Sequence, residues 1–221
     1  MLCSRSMQNV RSKIGPLMVE GALIVVSVLL GFAVAQYGED RADRQLAHRA
    51  LTSLQAELEY NLALVEPYIA FHRAHIQKLQ PYVTSQGRAT DFAGESAGIP
   101  ADASGFEVFL KVRPPLPSKA ETDTPLVRRA AWDAAMSSGA LRLIDYDLIA
   151  SLSEIYEMQD HLASAARRTP MTSSAFFDPR DRVASIRQAQ TALSEVVWTE
   201  QSLVSLYRRQ LPTLRSATAD Q

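Results

Sequence analysis

The run from Gly21 to Ala35, GALIVVSVLLGFAVA, carries no charged side chain, and no other feature constrains the chain as much. A helix rises about 1.5 Å per residue, so about 20 residues are needed to cross a hydrocarbon core about 30 Å thick. Leu17 to Tyr37 supplies that length with one charge, Glu20, and Pro16 stands just before it, where a first-turn proline is tolerated. Residues 16–37 are therefore read as a transmembrane helix between a short basic tail, 1–15, and a domain, 38–221. The competing reading is a cleaved signal peptide, with Arg5, Arg11 and Lys13 as its basic region and Ala33-Val34-Ala35 as its cleavage pattern. Glu20 breaks the apolar segment where an interfacial carboxylate can reach the headgroups, and the helical pattern continues from Gln36 without turn residues. Both features favour an uncleaved signal anchor.

Arg5, Arg11 and Lys13 precede the span with no acid among them, whereas Arg41, Arg44 and Arg49 after it are interleaved with Glu39, Asp40 and Asp43. The undiluted positive side is N-terminal, which places the tail in the cytoplasm and the domain outside. The only cysteine, Cys3, lies before the span, so the domain has no thiol to mispair in an oxidising compartment. Three of the 23 basic residues and one of the 24 acidic ones lie at or before Ala35, leaving 20 against 23 beyond it. That mixed balance lacks the concentrated basic footprint of a nucleic-acid binder. Sparse glycine and few β-branched runs favour an all-α domain.

Periodicity sets the expected elements. From Gln36 to Gln80, Leu51, Leu54, Leu58, Leu62, Val65, Ile69, His72, Ile76 and Leu79 follow at spacings of three and four, the stripe of one helix. Pro67 is expected to kink or divide it near Glu66. Residues 84–123 hold four glycines and four prolines and read as a long irregular insertion, with a short strand suggested by the alternation from Phe106 to Val112. Thr124-Pro125 predicts a helix N-terminus and Gly139 its end. Asp145 caps a second helix that fades at Arg167-Arg168, and Asp178-Pro179 opens a long third one that Pro212 ends. The economical architecture is all-α: an N-terminal transmembrane helix followed by an antiparallel helical bundle with a long irregular insertion.

No HExxH, GxSxG, GxGxxG or phosphate-cradling Gly-Lys loop occurs, so nothing nominates an enzyme and no cofactor is expected. His72 and His75, three apart on one helix, are candidate metal ligands, with Glu66, Glu154, Glu157 and His161 as the groups that would complete a site. The bland reading makes them solvent-facing or satisfied core histidines. Asn61, beside Leu58, Leu62 and Val65, is either a buried polar residue fixing helix register or a residue facing water. Trp132, Tyr146 and Tyr156 read as core aromatics. Arg128-Arg129 and Arg208-Arg209 are solvated pairs or sites for anions and lipid headgroups. Within the span, Ser27, Gly31 and Ala35 stack on one face at a spacing of four, which is either the packing face of a homodimer through this helix or a pattern of small residues that often arises without one.

The apolar anchor with EDRADRQLAHRAL, and then LTSLQAELEYNLAL, AAWDAAMSSGAL and LIDYDLIASLSEIYEMQ, together resemble an uncharacterised family of small bacterial single-pass membrane proteins. The resemblance spans most of the chain outside the glycine-rich middle. It implies an inner-membrane anchor and a periplasmic helical domain, and it carries no activity. Two functions follow as expectations. The first is a membrane-anchored interaction or sensor-like module that meets the lipid bilayer and a protein or small-ligand partner. The alternative is a tethered enzyme or metal protein using the His72/His75 region.

Overall fold

A computed structural model describes residues 5–84, 99, 103–118, 120, 122–168, 177–178 and 180–219. Among these residues the chain is helical and contains no strand. Five α-helices follow in order: α1 Arg5–Thr84, α2 Gly105–Lys111, α3 Ala130–Ser137, α4 Tyr146–Arg167 and α5 Arg182–Ala219; a 3-10 turn, Ala140–Leu143, joins α3 to α4. The chain divides into two compact units, Met1–His48 and Arg49–Gln221.

The first unit is the N-terminal part of α1. One helix of the described chain is long and apolar enough to cross a membrane, and its most apolar stretch buries nothing. Leu23, Ile24, Val25, Val26, Leu29, Leu30, Phe32 and Val34 are each more than half exposed. The Ser27 hydroxyl donates to the Leu23 carbonyl at 2.8 Å, so the helix satisfies it internally, and a side chain added at Gly31 would meet nothing within 4 Å.

In the second unit the buried face of α1 follows a strict alternation of three and four: Leu51, Leu54, Leu58, Asn61, Val65, Tyr68, His72, His75, Leu79 and Tyr82. A 3.5-residue repeat keeps such a seam facing one partner over many turns. The stripe expected from the apolar residues alone is displaced, because Leu62, Ile69 and Ile76 are only half-buried flanks. Polar side chains take those places at the centre. α5 carries the same repeat, with Ile186, Ala189, Leu193, Val196, Glu200, Leu203, Tyr207 and Leu214 all buried, and α4 carries Leu148, Leu152, Ile155, Gln159 and Leu162. α4 packs along α5.

Several local expectations are corrected. α1 runs undivided through Pro67, with Asn61, Tyr68 and His72 on either side of the proline fastened to other segments. The suggested strand is helix α2. Ser104 accepts from the Glu107 N–H while the Glu107 carboxylate accepts from the Ser104 N–H, a capping box that starts a helix where alternation had suggested an extended chain. α2 sits so close to the start of α5 that a methyl at Gly105 would lie 3.0 Å from the Phe177 ring and 3.4 Å from the Arg182 carbonyl. Val108 and Phe109 of α2 join Leu79, Tyr82, Phe177, Ile186, Ala189 and Leu193 in one apolar cluster.

α3 begins at Ala130, not at Pro125, and the residues just before it are held outside the helix by bonds described below. Gly139 ends it as expected, with φ of 73°, a left-handed conformation that costs glycine little. Asp145 caps α4 by accepting from the Asp147 and Leu148 N–H groups. At the start of α5, Asp181 accepts from the Ala184 N–H, three residues after the expected cap at Asp178. α5 continues through Pro212 to Ala219, with Leu211 and Leu214 buried on both sides of the proline.

Candidate functional site

Polar groups inside a helical core are costly unless their hydrogen bonds are met. Along the seam of α1 they are met mostly by backbone: successive side chains reach peptide groups between Phe109 of α2 and Ala131 of α3. Glu57, 7% exposed, accepts from the Ala131 N–H at 2.8 Å and from the Tyr156 hydroxyl at 2.7 Å. Its carboxylate thus lies at the N-terminus of α3, where free N–H groups and the helix dipole favour an anion. The Tyr156 ring stacks on Trp132 at 4.6 Å, and burial together with the Glu57 carboxylate pushes the Tyr156 hydroxyl far above its ordinary range.

One turn further on, Asn61 is fully buried. Its amide nitrogen donates to the Arg128 carbonyl at 2.7 Å, and its amide oxygen accepts from the Arg128 N–H at 2.8 Å. Both backbone groups of one residue are therefore satisfied by one side chain. Tyr68 donates to the Thr122 carbonyl at 2.9 Å.

His72 and His75 are both fully buried. The Nε2 atom of His72 lies 2.8 Å from the Asp123 carbonyl, and that of His75 lies 2.9 Å from the Phe109 carbonyl. A carbonyl only accepts, so each Nε2 carries a proton and donates. On the other side of the His72 ring, Nδ1 stands 3.0 and 3.1 Å from the two carboxyl oxygens of Glu200 on α5. That contact needs one further proton. It is either an imidazolium beside a carboxylate or an imidazole accepting from a carboxylic acid, and both forms leave the buried pair neutral. Burial pushes the Glu200 carboxyl up, opposed by the bond and charge of His72. Asp123 also closes a two-toothed ion pair with Arg113, at 2.9 and 2.8 Å. His75 is different: its Nδ1 is buried with no hydrogen-bond partner, its ring lies 4.4 Å from that of Phe109, and burial holds its pKa down to about 4.

The structure thus brings Asn61, His72 and His75 onto one seam with Tyr68, with Glu57 beside it on α1 and Glu200 facing it from α5. Among the described residues no three His, Cys, Asp or Glu side chains converge on a metal position. The other candidate ligands lie elsewhere, on the surface. Glu66 pairs with Arg208 at 2.6 Å, Glu154 with Arg209 at 3.0 Å, His161 approaches Glu195 at 3.9 Å, and Glu157 is exposed. The arginines proposed for anions have partners too: Arg129 binds Asp160 at 2.6 Å, and the Arg128 guanidinium covers the Tyr60 ring at 3.5 Å. Trp132 and Tyr156 are core aromatics, whereas Tyr146 is 79% exposed.

Two open surface grooves accompany these layers. One, of about 550 Å³, is lined by Glu66, Ile69, Arg73, Val204 and Arg208; the other, of about 430 Å³, by Met158, Trp198 and Leu206 among others. None of the buried polar residues lines either. Tyr68 and Glu200 escaped sequence reading because a phenol or carboxylate on a helix reads as a solvated flank, and Glu57, one turn before Asn61, reads from sequence as a local support for that residue and not as a partner of Ala131 and Tyr156. The 3.5 repeat, applied without regard to residue type, marks Asn61, Tyr68, His72, His75 and Glu200 as core positions. The chain matches no family model, no curated protein and no solved structure.

Proposed function

We propose that this chain is a membrane-anchored, sensor-like or interaction module: a single-pass helix holding an antiparallel helical bundle on the outer side of a bacterial inner membrane. The observation that carries the anchor is the sleeve of exposed aliphatic side chains from Leu23 to Val34. Apolar surface left in water costs about 25 cal/mol per Å², and a sleeve running around a whole helix has no small patch to hide. A bilayer removes that cost.

The bundle reading rests on the bridges between α1 and α5. Glu59 pairs with Arg215, Glu66 with Arg208, His72 with Glu200, and the Ile76 carbonyl with Gln190. The first partner rises along the chain as the second falls. Polar residues of α1 are spent on fastening the domain's own backbone, which suits a binding or signalling scaffold better than a catalytic centre. The Ser27, Gly31 and Ala35 face adds a route to self-association within the bilayer, because the Ser27 hydroxyl is already satisfied within its own helix. The family resemblance of the anchor and helix segments points the same way.

The anchor is tested by alkaline carbonate extraction of membranes from cells making the full chain, with N-terminal sequencing of the recovered protein. The protein is expected in the membrane pellet with residues 16–37 intact. A soluble chain beginning at Gln36 would overturn the anchor. Protease added to spheroplasts is expected to digest the domain, and protection until lysis would reverse the topology.

A further inference from the structure

We infer that His75 is an acid-sensitive latch: neutral, it fastens α2 to α1, and its ionisation releases α2 and uncovers the apolar cluster beneath. The inference concerns the helical domain alone and stands independently of the anchor.

The geometry begins at the C-terminal end of α2, where helix carbonyls lack intrahelical partners. The Val108 carbonyl accepts from the Val112 N–H and that of Leu110 from the Arg113 N–H. The Phe109 carbonyl between them is taken by the Nε2–H of His75, so a side chain of α1 supplies the cap. The same histidine packs its ring on the Phe109 ring, which is itself fully buried. Bond and packing both depend on a ring sealed from water.

An added proton must go to Nδ1, because Nε2 already holds one. Nδ1 is buried and unpartnered, so the new N–H would donate to nothing and its charge would lie dry. The charged groups acting on His75 make this worse: His72 and Lys78 on α1 and Arg113 beyond α2 all oppose a further cation. The two carboxylates of the region are already engaged, Glu200 of α5 by His72 and Asp123 by Arg113. Glu107 of α2 is occupied by the capping box at the helix's other end. Only the bond to Phe109 favours the cation, and burial outweighs it.

α2 is a short helix of seven residues, and this cap and the side chains of one cluster are among the ties that join it to the rest. Its departure from α1 hydrates His75 without separating α4 from α5. In the released state the imidazole regains its ordinary value of 6.5, against about 4 when latched. Release therefore takes up a proton between those values. The latched state has its full advantage above pH 6.5 and loses it as pH falls towards 4. Between pH 7 and pH 5 this shifts the release equilibrium by about 20-fold. Release exposes Leu79, Ile186 and their neighbours in the cluster, so acidity is converted into apolar surface.

Amide hydrogen exchange on the full-length protein in lipid nanodiscs, corrected for the intrinsic rate at each pH, tests this. Protection of α2 is expected to fall about 20-fold from pH 7 to pH 5, at an opening cost lower than that of central α5. In His75→Gln, whose amide nitrogen can still donate to Phe109 without titrating, the fall is expected to stay below twofold. An unchanged pH dependence in that variant, or opening of α2 only together with α5, would overturn the latch. Should His75→Gln not fold, an NMR titration of the parent's labelled histidines decides. A His75 pKa near 4 supports the latch, and one near 6.5 removes it.

Discussion

Asn61 shows how much one side chain can hold. It closes two bonds on Arg128 from a position with no solvent access, so Asn61→Leu leaves an N–H and a carbonyl unpaired in the core. Each such group costs about 1–3 kcal/mol, so thermal denaturation should show a loss of about 2–5 kcal/mol, despite the added apolar volume. Asn61→Asp is more diagnostic. Its carboxylate still accepts from the Arg128 N–H but faces the Arg128 carbonyl with another acceptor. The repulsion raises the carboxyl's pKa in the fold, so the variant gains stability relative to the parent as pH falls and the acid regains a proton to donate. A deficit that stays constant between pH 8 and pH 5 would mean that the two bonds do not hold Arg128. From sequence, Asn61 was readable as a residue at the edge of the core. Its partner was not, since 67 positions separate the two and nothing in Arg128's own neighbourhood announces a peptide group awaiting an amide.

At the scale of elements, the legible helices were those whose ends carry their own signals. Asp145 and Gly139 act through bonds or a backbone conformation local to a few residues, and both were readable. α2 was equally local, yet the alternation of Phe106, Val108, Leu110 and Val112 masked the Ser104/Glu107 capping box. The start of α3 was not local at all. Thr124-Pro125 has the form of a cap, but Glu57 of α1 receives the Ala131 N–H and Asn61 binds both backbone groups of Arg128, and the N-terminus lies five residues further on. Pro212 was overruled in the same sense, by burial of Leu211 and Leu214. The apolar N-terminal part of α1 makes its own prediction. If Ser27, Gly31 and Ala35 form a packing face, Gly31→Ile should sharply reduce the signal of a transmembrane association reporter in a bacterial inner membrane, and Leu29→Ile should leave it unchanged. Equal signals from both would remove pairing by this face.

For the molecule as a whole, residues 49–221 form a compact unit of their own, and the buried seams of α1, α4 and α5 lie within it. A protein starting at Arg49 is therefore expected to be soluble and helical, and to melt in one cooperative transition by circular dichroism. A broad, non-cooperative melt would show that the N-terminal helix contributes to the fold. The backbone contacts of α1 have a further consequence for how this domain tolerates change. Glu57, Asn61, Tyr68 and His72 grip peptide groups, and a peptide group is the same whatever side chain it bears. The gripping helix is therefore exacting about its letters, while Arg128, an exposed residue of the gripped segment, is held chiefly by its peptide group. At this position the loss of the N–H should register far more than the loss of the side chain: Arg128→Pro is expected to abolish folding, whereas Arg128→Ala shifts stability by no more than about 1 kcal/mol. A saturation screen of this domain would accordingly find a permissive Arg128 lying directly against an exacting Asn61, a position free to acquire new surface chemistry while its path stays fixed.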